Sequence, residues 1–413
     1  MINHNDSLRN LVSGMGDPSR DKAANAYYCA STITDDQLTN AYDTSWLARK
    51  VVDVVAHDAL RHWRDWQAPA EMITAIEAEE GRVGVRRHIL TGLIRARLYG
   101  GSAVYIGISG QRPEEPLDPA SIGRGGLSYL VPLSRSDIQS GPLDLDPLSP
   151  HYGTPESYSV RGVTVHPSRL VVQHGAVPAD PTLRADGWGD SVLRTTMSAV
   201  MDADSVTRNI ASLVFEANVD VFRIPDLMAS VAVPSYRTKL IERFGLANVS
   251  KSVNRALLLD KEEGYDRRQI TFSGLPEIVN QFLAIVAAAA DVPITRMLGQ
   301  SPGGLSSTGD ADLQNYHDAL SGIQHLCVTP AMTVLDEVLV RSALGEYPDG
   351  VHYLWAPFTS PSAQERATIG KTNADTAVAL ASTGLLTPEE LRGAVINQMV
   401  ECGVYPGLDV DGD

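Results

Sequence analysis

At 413 residues the chain is long enough for two or three domains and a sizeable core. Its 43% hydrophobic and 20% charged residues argue against disorder. A formal net charge of −16 argues against tight, sequence-independent gripping of nucleic acid, which depends on counterion release by a basic surface. Cys29, Cys327 and Cys402 are far apart and form no CxxC, so a reducing, cytoplasmic site of folding is expected. The N-terminus is polar, without a signal-peptide pattern. The longest apolar run, 282–290, is too short to span a bilayer.

Residues 1–30 have weak periodicity and read as an arm. Thr34-Asp-Asp-Gln37 is a capping box opening one helix that carries Leu38, Tyr42, Trp46, Val51 and Val55 and ends near His62. Two more helices follow, over about 69–80 and 85–99, the second stopped by Gly100-Gly101. Residues 102–108 alternate and read as a strand, and short strands are predicted at 127–132, 157–160, 163–165 and 170–174 among turn-rich segments. This order of helices and then strands predicts an α+β domain.

Asp190 or Ser191 caps a helix to about residue 218. Shorter pieces follow: a strand at 219–224, a helix at 235–244 and a strand at 255–259. Pro276 enters another helix, which ends before Pro293.

Residues 293–344 combine a glycine-rich loop with a long helical pattern. Leu313, Tyr316, Leu320, Ile323, Cys327, Ala331, Val334 and Val338 are spaced as one buried stripe, so Cys327 reads as a core residue. Thr308 or Asp310 is the expected cap and Gly345 the stop. Pro330 lies within the pattern and is expected to kink it, having no N–H to donate. The loop is not a nucleotide-binding fingerprint: Leu305 follows Gly304 where a P-loop needs Lys, and Gly303 and Gly304 are adjacent. After residue 344, 353–357 read as a short strand or an extended link, Ser362-Ala-Gln-Glu365 caps a helix to about 383, and Thr387-Pro-Glu-Glu390 opens a last one before an acidic tail.

The run Gly299-Gln-Ser-Pro-Gly-Gly-Leu-Ser-Ser-Thr-Gly-Asp310 and the residues after it resemble the portal proteins of tailed bacteriophages, in the anti-CBASS-linked portal family. Arg97-Leu-Tyr-Gly-Gly101, Tyr152-Gly-Thr-Pro-Glu-Ser-Tyr158, His166-Pro-Ser-Arg169 and Trp188-Gly-Asp-Ser191 carry the same resemblance. It implies an α+β portal fold: an arm at 1–30, a wing at 31–190, a first stem helix at 191–218 and a clip at 219–273. A second stem helix at 274–292, a tunnel loop region at 293–310, a long kinked helix and return at 311–358 and a short crown with tail at 359–413 complete it. It also implies a dodecameric ring at one capsid vertex of the virion, assembled in the host cytoplasm, through which double-stranded DNA is packaged and ejected. The implied partners are other copies of the chain, the terminase large subunit, a head-completion or adaptor protein, and the major capsid and scaffolding proteins, with no membrane.

The loop residues expected to line the channel are Ser301, Pro302, Gly303, Gly304, Leu305, Ser306, Ser307 and Thr308, small and uncharged, with no cation to pin a phosphate. Asp310, Asp312 and Asp318 either face the bore or favour the helix N-terminus electrostatically. No catalytic site, cofactor or metal is expected. HExxH and GxSxG are absent, His57 and His62 fall on different helix faces, and Asp409-Val-Asp-Gly-Asp413 lacks the glutamate that would close a calcium loop. The alternatives are a head–tail adaptor ring and, from another class, a phosphodiesterase or nuclease. The latter needs paired His-x-Ser/Thr motifs, and one copy stands at His166-Pro-Ser168.

Overall fold

The computed structural model describes residues 33–179, 187–216, 218–223, 264–269, 274–299, 310–359 and 363–383, with isolated positions besides. The expected arm, the strand at 255–259, most of the helix at 235–244, the caps at Thr308 and Ser362, and the last helix and tail lie outside these residues.

The capping box forms: Thr34 N–H donates to Gln37 Oε1 and Gln37 N–H to Thr34 Oγ, at 3.0 and 3.3 Å. The single helix expected after it is two, α1 (Asp35–Thr44) and α2 (Trp46–Arg61). Ser45 is the break. Its backbone is extended, and its hydroxyl accepts from Ala48 N–H, capping α2 as it ends α1. α3 (Ala70–Val83) and α4 (Val85–Tyr99) meet at left-handed Gly84, and Gly100 stops α4.

The strands β2 (Gly101–Ile108), β3 (Leu127–Ser134) and β7 (Leu170–His174) form an antiparallel sheet in the order β3-β2-β7. β4 (Ile138–Ser140), β5 (Tyr158–Val160) and β6 (Val163–Val165) form a second small sheet. The sequence reading missed β4, and also β1 (Arg64–Gln67), which pairs with β10 (His352–Trp355). β1 hides because one of its two inward residues, Arg64, is charged. It also missed β9 (Gly264–Gln269), the partner of β8 (Asn218–Arg223).

α5 (Leu193–Glu216) starts where Ser191 Oγ accepts from Leu193 N–H, while Asp190 pairs with Arg194 at 2.7 Å. α6 (Leu275–Ala289) packs along α5. The short α7 (Ile294–Leu298) and the long element α8 (Asp310–Ile323), a π turn (Gln324–Val328) and α9 (Thr329–Leu344) follow, and α10 (Ala363–Thr383) closes the described chain. Ala311–Leu344 is long and apolar enough, by length and composition, to cross a bilayer, but its buried side chains belong to both large cores.

One core joins α3, α4, β2, β3 and α9, and another joins α1, α2, α5, α6 and α8. Helices and small antiparallel sheets share these cores, which makes the fold α+β. The joint between sheet and α5 is made by close backbone approach. Gly175 N–H donates to Gly100 O at 2.9 Å, and Ala176 and Asp190 exchange backbone hydrogen bonds. A Cβ on Gly175 would sit 2.4 Å from Asp190 O and 2.5 Å from Ala96 O. Trp188, buried, covers Gly101. The phrases Arg97–Gly101 and Trp188–Ser191 therefore have structural work at this joint.

In the first core Arg64 is buried between Glu80, at 2.6 Å, and Asp336. Two carboxylates share one guanidinium. Burial pushes the Asp336 carboxyl up to about 6, with Glu80 adding to the rise against the pull of Arg64.

Gly175→Ala should lose about 2–3 kcal/mol in denaturant unfolding, because backbone must move. Gly81→Ala, on an open face of α3, should gain about 0.5–1 kcal/mol. For Asp336, folded and unfolded forms are both protonated well below the ordinary carboxylate range. As pH rises the unfolded form ionises first, so the site loses stability until it ionises near pH 6 in the folded protein. Asp336→Asn should therefore gain about 2–3 kcal/mol relative to the parent between acid and neutral pH, read from paired unfolding curves.

Candidate channel-loop site

The predicted channel residues Ser301, Pro302, Gly303, Gly304, Leu305, Ser306, Ser307 and Thr308 lie outside the described residues. Their two shoulders are described. On one side Pro293 leads into α7, and left-handed Gly299 ends it by donating its N–H to Thr295 O. On the other side α8 begins at Asp310.

Both shoulders are tied to one buried carboxylate on α2. Asp58 is 7% exposed. Its Oδ2 and Oδ1 accept from Arg296 Nε and Nη2, each at 2.7 Å, in a bidentate pair. Its Oδ2 also accepts from the Tyr316 hydroxyl at 3.0 Å. Arg296 precedes the loop and Tyr316 follows it. Burial, then the Asp58 charge, pushes the Tyr316 phenol above its usual range and keeps it a neutral donor. The hydrogen bond to Asp58 is the main cause of the raised Arg296 value.

More contacts to α2 reinforce the clamp. Lys50 Nζ donates to Met297 O at 2.5 Å, and Gln324 Nε2 to Ala59 O at 2.7 Å. Arg97 also holds α2, donating to Val51 O and Val52 O, both at 2.9 Å. Burial lowers its guanidinium to about 10.

Asp310 is the first residue of α8, so it stands inside the helix rather than before it. Asp312 and Asp318 are exposed, and Asp318 accepts from Gln314 Nε2 at 3.2 Å. Lys and Arg are absent from 297 to 340, so this stretch offers solvent carboxylates and no cations.

The expected stripe along the long helix needs correction. Tyr316, Leu320 and Val338 are buried, but Leu313 and Cys327 are exposed. Leu313 lies in the first turn of α8, ahead of the π turn, and the π turn is the reason for the exposure of Cys327. Its extra residue rotates the buried face, which continues through Gln324, Val328, Met332 and Leu335. Pro330 stands just after this turn. It has no N–H for Leu326 O, and the preceding Thr329 reaches back five residues, its N–H and hydroxyl both on Gln324 O.

The residue pattern does not single out Asp58, Arg296, Lys50 or Gln324, and Tyr316 reads there as part of the apolar stripe only. A signal existed: Asp58 falls on the buried side of α2, one turn beyond Val54. Among the described residues no group of three or more His, Cys, Asp or Glu side chains is placed to hold a metal. Removing the clamp has a measurable consequence. Asp58→Ala, which leaves the Tyr316 hydroxyl buried without its acceptor, should cost about 2–4 kcal/mol. Amide exchange should rise first at 294–298 and 310–316, while the β2–β3 sheet keeps its protection.

The sequence matches the family described as phage portal protein over residues 36–379. A protein of Caulobacter sp. (strain RHG1) named anti-CBASS protein Acb1 is 42% identical, over 98% of this chain and 68% of its own length. One of the same name from Sphingomonas paeninsulae is 38% identical, over 98% of this chain and 66% of its own. The chain thus spans about two thirds of the length of these relatives. A chain in the neck of an empty gene transfer agent particle, computed with C6 symmetry, superposes with a TM-score of 0.50 at 15% identity, over 91% of this chain and 95% of that one. With the match covering most of its length, the chain belongs to the phage portal protein family.

Proposed function

We propose that copies of this chain close into a ring at one capsid vertex, that residues 301–308 line its bore, and that DNA passes through it during packaging and ejection. In this reading 31–190 are the wing, 191–218 and 274–292 the stem helices, 219–273 the clip and 359–413 the crown. The terminase, the adaptor and the capsid proteins dock on the outside.

The observation that carries the proposal is α6. From Ile278 to Ala290 it has no charged residue. A span whose only polar side chains are Asn280 and Gln281 belongs largely inside a protein. Yet only Val286 and Ala287 are buried, against α5, while Ile278 and Ile285 are 47% and 46% exposed. Seven residues apart, these two share a face. A second copy supplies its cover, and a head-to-tail contact of this kind repeats until the ring closes. The cation-free stretch supports sliding passage of DNA, since nothing there holds a phosphate.

The Acb1 name belongs to relatives about half as long again as the matched region, so a separate activity has room in their remaining third. Here the single His-x-Ser is used locally: His166 Nδ1 accepts from Ser168 N–H at 3.2 Å, and Ser168 Oγ accepts from Leu117 N–H at 2.8 Å. This favours a structural role for the chain over a phosphodiesterase. Turnover of a cyclic oligonucleotide by the pure protein would reverse that preference.

Mass measurement should find the purified protein at many times 44.4 kDa. Ile285→Glu should shift it towards monomer with its circular dichroism unchanged. A parent protein that stays monomeric at high concentration contradicts the ring. Deleting 303–307 should leave assembly intact and impair DNA packaging or retention; full packaging by the deletion removes the loop from the mechanism.

A further inference from the structure

An open cleft of about 630 Å³ lies between α9 and β10, away from the loop shoulders. Trp66, Tyr347, Tyr353 and Trp355 form part of its walls, with His325 and His352 also in the lining. Tyr353 stands edge-to-face with Trp66, ring centres 5.4 Å apart, and with Trp355, 5.9 Å apart. Asp336 and Glu337 of α9 supply carboxylates to the same lining.

Electron-rich ring faces beside carboxylates recognise planar cations. The chain already uses this chemistry at the back of the cleft. The Arg64 guanidinium lies 4.7 Å from the Trp66 ring centre and 4.6 Å from that of Tyr353, between Glu80 and Asp336. That one cation faces two carboxylates, so the local balance stays negative. Arg341 pairs with Glu337 at 3.0 Å and offsets only that charge. A second observation is independent of charge. Trp66 is 4% exposed, and its indole N–H has no hydrogen-bond partner. A peptide carbonyl is the complement such a donor lacks.

We propose that this cleft receives an arginine side chain on an extended peptide of a partner protein. The guanidinium stacks on Trp355 and Tyr353 and pairs with Glu337 and Asp336. The flanking backbone brings a carbonyl to Trp66. The volume suits one long side chain with its neighbouring peptide groups. A basic partner also complements a chain of net charge −16. The proposal stands apart from the ring, since the cleft is complete within one copy.

The test titrates the full chain with acetyl-Gly-Pro-Arg-Gly-amide and with its citrulline twin, which keeps the shape and loses the charge. Tryptophan fluorescence reads binding. The arginine peptide should give a saturable change at about 0.1–1 mM, and citrulline should bind at least about tenfold more weakly. Glu337→Gln, partly exposed and tolerant, should weaken arginine binding several-fold, and Trp355→Leu should abolish it. Equal responses to the two peptides, no saturable response, or undiminished binding by a folded Glu337→Gln variant would overturn the proposal.

Discussion

One carboxylate governs the part of this protein on which its proposed role depends. Asp58 sits on α2, inside the second core, and accepts hydrogen bonds from residues on both sides of the loop. A glycine-rich loop has little conformational preference of its own. What direction it has must come from its ends. Fixing Arg296 and Tyr316 to the same buried group sets the separation and bearing of those ends, whatever the loop residues do between them. Asp58 is buried, and burial strengthens the hydrogen bonds it accepts.

The same helix α2 is held by Arg97 at the end of α4, and α4 is locked to the β2–β7 sheet through Gly100, Gly175 and Gly189. A continuous packed path therefore runs from the sheet, through α4 and α2, to the loop shoulders. The π turn extends it. By rotating the buried face of the long element, it lets α8 belong to one core and α9 to the other, and Pro330 occupies a place where the regular ladder is already interrupted. The apolar outer face of α6 is one of several exposed apolar sites, and a structural portal subunit is the reading that gives it a use.

Much of the architecture was readable from the residues. The Thr34 capping box, the Gly100 and Gly345 stops, the strand at 170–174 and the helix behind the loop follow from local chemistry acting within a few residues. What was not readable depended on distant partners. Arg64 looks like a surface residue until Glu80 and Asp336 arrive from elsewhere, and so the strand it starts was missed. Cys327 fitted a helical period that holds only if no residue is inserted, and the π turn inserts one. Ser45 divided a helix because its hydroxyl competes for the backbone, a choice the apolar spacing does not record. The clamp itself was half visible: a lone carboxylate on a buried helix face asks for a partner, but sequence does not say that the partners flank a loop more than two hundred residues away.

The central claim is that the clamp holds the loop towards a common axis of many copies. Single-particle imaging of the purified protein tests it most directly. The account predicts a closed ring in which Gly299 and Asp310 of every copy point to the central passage, with Arg296 and Tyr316 joined at Asp58. A ring carrying these two residues on its outer rim, or particles without a passage, would contradict it.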